Sequence, residues 1–182
     1  MLMAMFERIN LGTLKRGVLL FWALWLTVVT ATNILNALQA LGVLPETFKF
    51  VSGNWQLINQ TMDPLGVPRA LQAFMFAGVT VWEGFAAILF WRAFAGYRNR
   101  PLIQERMALV ACGVNLALWA AFQVLDEVFL AYQPEGVHRV IFGNQILTLL
   151  MLYLLPTQES QDIRHAYRAG TDSVPGARQD PS

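Results

Sequence analysis

The sequence predicts an all-α protein, an antiparallel four-helix transmembrane bundle with an outer interfacial helix. Three observations predict this fold class: an apolar composition, four long apolar stretches, and an uneven distribution of lysine and arginine between the segments that join them. Of the 182 residues, 55% are hydrophobic and 14% are charged, whereas soluble domains contain about 25% charged residues. At this length we expect a single domain.

Four stretches are long and apolar enough to cross a bilayer, which takes roughly 20 consecutive residues. They lie at about 18–44, 70–95, 107–130 and 138–155. The first follows Lys15 and Arg16, as a signal peptide would, but its apolar run is about twice the roughly 7–15 residues of a signal. We therefore expect a retained helix. Residues 1–156 then form the membrane domain, and 157–182 form a polar, partly disordered tail.

The basic residues predict the orientation of the four spans. If both termini are cytoplasmic, three of the 13 lysine and arginine residues lie outside, namely Lys49, Arg69 and Arg139, and the others lie inside. Cytoplasmic loops carry such an excess of positive charge. We therefore expect a multi-pass protein with both termini in the cytoplasm.

A second helical pattern lies in the outer loop between the first two spans. Its apolar residues are spaced three, four, three and four apart, and they are Phe48, Val51, Trp55, Ile58 and Met62. This spacing places them on one face of a helix. We expect an amphipathic helix from Thr47 to Met62, lying in the outer interface with Trp55 as an anchor.

Rows of small residues predict how the spans pack. The second span carries such a row at Ala70, Ala73, Ala77, Thr80, Gly84 and Ala87, and the third carries one at Gly113, Ala117 and Ala121. Small residues let two helix backbones approach closely. We expect the two rows to meet each other or to meet the first span.

Glu83 lies near the middle of the second span, with apolar sequence on both sides. A charged side chain at a central position of a membrane helix costs about 2.5–3.5 kcal/mol, even on the lenient insertion scale. We therefore expect Glu83 to face the interior of the bundle. No lysine or arginine lies at that depth, so we expect a neutral carboxylic acid that is hydrogen-bonded to an amide.

Several amide side chains are candidate neighbours of Glu83 in a ligand or proton site. They are Asn33 in the first span, Asn115 and Gln123 in the third, and Asn144 and Gln145 in the fourth. Most of them lie in the outer half of their spans, which predicts a cavity that opens to the outside and narrows towards Glu83. The alternative is that these amides only join helices, at about 0.6 kcal/mol each.

The sequence also excludes several kinds of chemistry. His138 lies at the outer edge of the fourth span and His165 in the tail, which excludes haem ligation by two histidines within the membrane core. The spans contain no serine or lysine for intramembrane hydrolysis, and Cys112 is the single cysteine. A net charge of +1 does not favour nucleic acid as a partner. We expect no catalytic residues, no metal and no cofactor.

Two further groups of residues are candidate sites. His138 with Glu135, Asp126 and Glu127 could hold a metal at the outer surface, but the spacing of these residues does not favour it. The tryptophans of the spans include Trp22, Trp25, Trp91 and Trp119. Tryptophan is common at membrane interfaces and in packed cores. We expect these four to serve there rather than in a quinone or pigment site.

Six short segments follow one another along residues 33–145. They are "ATNIL" with Asn33, "FKFV" at 48–51, the Met62-Asp63 pair, Glu83 inside the second span, "DEVF" at 126–129 and "GNQ" at 143–145. In this order they resemble a bacterial family of predicted small integral membrane proteins of unknown function. The resemblance implies the same fold and orientation, and a place in the bacterial inner membrane.

Three functional interpretations stay open. The favoured one is a small inner-membrane protein without catalytic activity of its own, which serves as an accessory or scaffolding subunit of a membrane complex. The second is a carrier or binding protein for a proton, a cation or a small amphiphile, with Glu83 as its titrating group. The third is a quinone-linked enzyme subunit. We expect the lipid bilayer and other membrane subunits as partners. A cavity that reaches Glu83 from outside would favour the second interpretation over the first.

Overall fold

The computed structural model describes residues 11–97 and 101–155, with side chains from residue 106 onwards in the second range. The predicted tail at 157–182 lies outside these residues. Within the described residues, five α-helices follow one another: α1 (Leu11–Ala40), α2 (Asn54–Met62), α3 (Arg69–Gly96), α4 (Pro101–Val128) and α5 (Tyr132–Leu154). A short 3-10 helix, Asp63–Leu65, continues α2.

The four long helices form the predicted bundle. Each of α1, α3, α4 and α5 is long and apolar enough to span a membrane. The helix α3 packs against α1 and α4, and α4 packs against α5. Large apolar side chains point outwards along the spans, among them Phe74, Val81 and Tyr153, which are 71–77% exposed. Since lipid solvates such side chains, the fold is that of a multi-pass membrane protein.

Proline and glycine residues account for the positions at which several of the spans begin and end. Helices α4 and α5 begin earlier than predicted, because Pro101 and Pro134 lie in first turns, where a proline is tolerated. Helix α1 ends at Ala40 rather than near Leu44. There Gly42 has a φ of +74°. Its N–H donates to the Gln39 carbonyl at 3.0 Å, which closes the helix.

The turn between α4 and α5 has the same closing geometry without a glycine. Leu130 has a φ of +54°, a left-handed conformation that is strained for a residue with a Cβ atom. The N–H of Ala131 donates to the carbonyl of Asp126 at 2.7 Å. The turn is therefore tight, and it places the ends of α4 and α5 side by side.

The interfacial helix is present, but it is shorter than predicted. It begins at Asn54 rather than Thr47 and ends at Met62 as expected. The reason is Gly53, which has a φ of +75° and separates the helix from the irregular segment before it. Helix α2 contacts both α1 and α3. It therefore lies against one end of the bundle, which we call the α2 end.

The rows of small residues pack differently from the prediction. In α3 only the later part of the row faces a neighbour: a Cβ atom on Gly84 would lie 3.3 Å from Cγ2 of Thr30 in α1. Ala70, Ala73 and Ala77 are exposed. The prediction for α4 was wrong, because Gly113 and Ala117 are exposed. The buried face of α4 is instead formed by residues of different sizes, at Ala108, Ala111, Cys112, Leu118 and Trp119.

The bundle has two unlike halves. In the half away from α2, which we call the packed half, apolar side chains from all four spans form one core; they include Leu19, Leu26, Phe90, Ala111 and Leu152. In the half next to α2, the buried residues include polar ones: Asn33, Asn36, Gln72, Glu83 and Asp126. This second half, which we call the chamber half, holds the candidate site.

Candidate functional site

Glu83 is buried between α1 and α3, with 2% of its surface exposed. Asn33 of α1 donates from Nδ2 to Oε2 of Glu83 at 2.6 Å. The Oδ1 atom of Asn33 accepts a hydrogen bond of 2.8 Å from Nδ2 of Asn54, the first residue of α2. The predicted contact between Glu83 and an amide is therefore present. A row of hydrogen bonds leads from the α2 end to the carboxyl group near the middle of the membrane.

A second polar cluster attaches α2 to the bundle. Asn36, one turn from Asn33 on α1, is fully buried. Its Oδ1 accepts from the backbone N–H of Trp55 at 2.8 Å and from the hydroxyl of Ser52 at 3.3 Å. Its Nδ2 donates to Oε1 of Gln56 at 3.0 Å. Asn36 thus satisfies a backbone N–H that the first turn of a helix leaves free. These hydrogen bonds attach the first turn of α2 to α1, one helical turn from the Asn33–Glu83 pair.

A chamber of about 270 Å³ lies between the helices of the chamber half. Its walls are mainly apolar, and aromatic rings form much of them: Trp25, Phe76, Trp119, Phe122 and Phe129. Its polar lining consists of Asn33, Asn54, Thr61, Glu83, Asp126 and His138. Residues of α2, among them Leu57 and Ile58, line it as well. The chamber therefore extends from the α2 end down to Glu83, along the direction that the polar residues predict.

A second ionisable pair lines the chamber on the side of α4 and α5. Nδ1 of His138 lies 2.7 Å from Oδ2 of Asp126. Both side chains are largely buried, at 17% and 6% exposed. The His138 ring is stacked on Phe122 with 4.4 Å between the ring centroids, and Phe122 is stacked on Trp119. The carboxylate and the stacking together hold the imidazole in one orientation.

Two of the predicted site residues, Asn115 and Gln145, are buried but do not line the chamber. Oδ1 of Asn115 accepts from the indole N–H of Trp119 at 3.1 Å, and this indole lies on the chamber wall. Within the described residues, Nδ2 of Asn115 and both polar atoms of Gln145 have no hydrogen-bond partner. Neither residue bonds to Glu83, so of the three amide-bearing spans only α1 supplies a hydrogen-bond partner within the described residues, namely Asn33.

The structure places the remaining two candidates away from the site. Asn144 is exposed on the side of α5 that faces away from the bundle. Its backbone carbonyl accepts a hydrogen bond from the hydroxyl of Thr148. Gln123 is half-buried on α4 and does not line the chamber. Both predictions were based on depth along the helix. They fail because depth does not specify the face of the helix on which a side chain lies.

Three residues that line the chamber are not among the predicted site residues, namely Asn54, Asp126 and His138. Asn54 lies outside the apolar face that predicts the outer helix, yet it donates to Asn33. Asp126 and His138 were considered as metal ligands together with two glutamates, but Glu135 pairs with Arg139 instead. Within the described residues, no three metal-binding side chains come together. The signal that could have been used is that Asp126 ends the apolar run of α4 and His138 lies just before that of α5, so that both fall on the same side of the membrane.

Comparisons with family models, with curated proteins and with solved structures give no match for this chain. The site is therefore interpreted from its own chemistry. A chamber with apolar walls and a few polar groups at defined positions is the usual form of a small-molecule site. The chamber lining offers carboxyl oxygens at Glu83 and Asp126, amide groups at Asn33 and Asn54, and an imidazole at His138.

Proposed function

We propose that this membrane protein binds or carries a small amphiphile in the chamber of the chamber half. The observation that carries the proposal is that one chamber contains both the buried Glu83–Asn33 pair and a wall of aromatic rings. The polar end of an amphiphile would be bound by Glu83 and Asn33. Its apolar part would lie against Trp25, Phe76 and Phe122, out of contact with water.

The chamber favours this interpretation over an accessory or scaffolding subunit. A helix bundle that only joins other subunits needs no internal space, and open space between helices forfeits packing contacts. The accessory role and the quinone-linked role concern partners, and they stay predictions. We further propose that the α2 end faces the outside of a bacterial inner membrane and that both termini are cytoplasmic, on the basis of the distribution of basic residues.

Quenching of tryptophan fluorescence by ω-bromo-octanol tests amphiphile binding in mild detergent. This probe carries a hydroxyl at one end and a quenching bromine at the other. Trp25 and Trp119 line the chamber, so binding there should give a saturable quenching component. Partition of the probe into the micelle gives only a component that grows linearly with its concentration.

A matched pair of variants locates the binding. In the double variant Val79→Phe, Ile141→Phe, two lining residues are enlarged, and we expect the saturable component to disappear. The control is Val81→Phe, Val140→Phe, which changes neighbouring residues that are 71% and 62% exposed on the outer surface. The control should keep the component. Saturable quenching that survives in the first variant, or that is missing from the wild type, would overturn the proposal.

Reporter fusions test the orientation. A reporter that is active only in the periplasm should be active when inserted in the loop at 45–52 and inactive when fused after Gly170. Activity of the fusion after Gly170 would contradict the proposed orientation, because an even number of spans places both termini on one side.

A further inference from the structure

The charge of the chamber lining restricts the class of ligand that it can bind, an inference that depends on the proposed function. The lining contains two carboxyl groups, those of Glu83 and Asp126, and neither lysine nor arginine is among its residues. His138 is the third titratable group, and it is paired with Asp126. Each ionised carboxyl group therefore adds one negative charge to the lining. A protonated His138 can balance one such charge.

The arginines nearest to the chamber are paired elsewhere. Arg69 lies 3.3 Å from Asp63, and its guanidinium group lies over the ring of Trp55 at the α2 end. Arg139 is paired with Glu135 and is 67% exposed. Neither arginine lines the chamber. An anionic ligand would therefore meet two carboxyl groups there and neither lysine nor arginine to balance its own charge.

The two amide groups of the chamber lining each donate a hydrogen bond within the protein. Nδ2 of Asn33 donates to Glu83, and Nδ2 of Asn54 donates to Asn33. This row of hydrogen bonds ends at a carboxyl group, which is an acceptor when it is ionised. The polar end of the chamber is therefore arranged to meet a donor or a positive charge.

The aromatic walls favour a cation as well. Five aromatic side chains line the chamber, namely Trp25, Phe76, Trp119, Phe122 and Phe129. The faces of aromatic rings attract ammonium groups, and the attraction is strongest where water is excluded. Trp25 and Trp119 stand next to one another, with 5.8 Å between their ring centroids. Carboxyl groups and clustered indole and phenyl rings are the groups that recognise organic ammonium ions.

We propose that the ligand of the chamber is an organic cation with an apolar body, whose positive group is bound by the carboxylate of Glu83 and by the surrounding rings. Before the cation binds, Glu83 is the neutral acid. When a cation lies beside it, the carboxylate forms and the proton is released to water, so that one negative charge meets one positive charge. Asp126 and His138 face the same space and are the other groups that a bound cation would influence.

Two probes of equal shape test this proposal. Benzyltrimethylammonium carries a positive charge, and neopentylbenzene has the same shape with carbon in place of nitrogen and no charge. Each is used to displace ω-bromo-octanol from the full-length protein in mild detergent. We expect the cation to displace it at a concentration about tenfold lower than the neutral compound.

Variants assign the charge preference to Glu83. In Glu83→Gln the shape of the side chain is kept and the charge is lost, so the ratio between the two probes should fall to the smaller preference that the aromatic rings alone give. The matched control is Glu127→Gln, which removes a carboxyl group at an exposed position next to Asp126 and should keep the wild-type ratio.

The outcomes separate the two proposals. If ω-bromo-octanol shows no saturable binding, the proposed function fails. If it binds and the neutral compound displaces it as well as the cation does, the chamber binds amphiphiles and the cation proposal is wrong. A cation preference that is undiminished in Glu83→Gln also overturns the proposal, because it assigns the recognition of charge to another group.

Discussion

The packed half and the chamber half are built from the same four spans and from similarly apolar sequence, yet they differ in what lies between the helices. In the packed half, Leu19, Phe90 and Ala111 are fully buried in one continuous core. In the chamber half, the helices enclose a chamber of about 270 Å³ and bury Asn33 and Glu83 beside it. Tight apolar packing is therefore concentrated at one end of the bundle, and the space for the proposed ligand lies at the other. One half holds the helices together and the other leaves room for a ligand.

The largest difference should follow from truncating one phenylalanine in each half. Phe90 is 0% exposed and is stacked on Trp22 in the packed half, and Phe76 is 5% exposed on the chamber wall of the same helix. We expect Phe90→Ala to lower the free energy of unfolding by about 3 kcal/mol. Phe76→Ala should lower it by about half as much, because its side chain already borders open space.

Unfolding by a denaturing detergent, monitored in mixed micelles, measures both variants under one condition. Equal losses would show that the chamber half is as tightly packed as the other half, and the division between the halves would then be wrong.

Glu83 marks the inner end of the chamber, and its replacement should have the next largest effect. In Glu83→Leu, the amide of Asn33 loses the acceptor that lies 2.6 Å away. We expect a loss of about 1–3 kcal/mol, the usual cost of leaving a buried donor unsatisfied. Glu83→Gln keeps an acceptor oxygen and should be nearly as stable as the wild type. A stable Glu83→Leu protein would contradict the buried network.

Infrared spectroscopy examines the same residue directly. The hydrogen-bond partner of Glu83 within the described residues is a neutral amide, and an ion without a counter-charge is costly to bury. We expect the C=O band of a neutral carboxylic acid near pH 7, and we expect this band to be absent from Glu83→Gln. A spectrum in which the two proteins share every carboxylic band would show that Glu83 is ionised.

Detaching α2 should have a smaller and local effect. Asn36→Leu removes the acceptor of the Trp55 N–H and the partner of Gln56. We expect amide hydrogen exchange within α2 to accelerate by about tenfold, which corresponds to about 1.4 kcal/mol, while exchange in the packed half stays unchanged. The control is Gln60→Leu, at an exposed position on α2. Unchanged exchange in α2 would mean that its apolar contacts alone hold it.

The smallest effect is expected at the turn that closes the chamber half between α4 and α5. Leu130 is 59% exposed and has a φ of +54°. Leu130→Gly removes a left-handed strain of about 1–2 kcal/mol, and the greater freedom of glycine in the unfolded chain offsets about 0.5–1 kcal/mol of this gain. We expect a net stabilisation of about 0.5 kcal/mol. The reverse test is Gly42→Ala, where φ is +74° and stability should fall by about 1 kcal/mol. A loss of stability in Leu130→Gly would mean that the leucine side chain contributes more than the turn costs.

Sequence patterns predicted four spans, an outer helix that ends at Met62 and the burial of Glu83. Those features follow from the length and periodicity of apolar runs, and from the cost of exposing a carboxyl group to lipid. The prediction that an amide from another span bonds to Glu83 is confirmed for Asn33. These are properties of single segments and of their depth in the membrane.

Only the tertiary structure decided which polar side chains meet and where the helices leave space. Asn144 and Gln145 are neighbours in sequence, yet one is exposed and the other is buried, because the rotation of α5 about its axis is set by its packing against α4. Asp126 and His138 meet because the turn at Leu130 places two helices in register. A chamber is a property of the gaps between several helices, and no single segment specifies it.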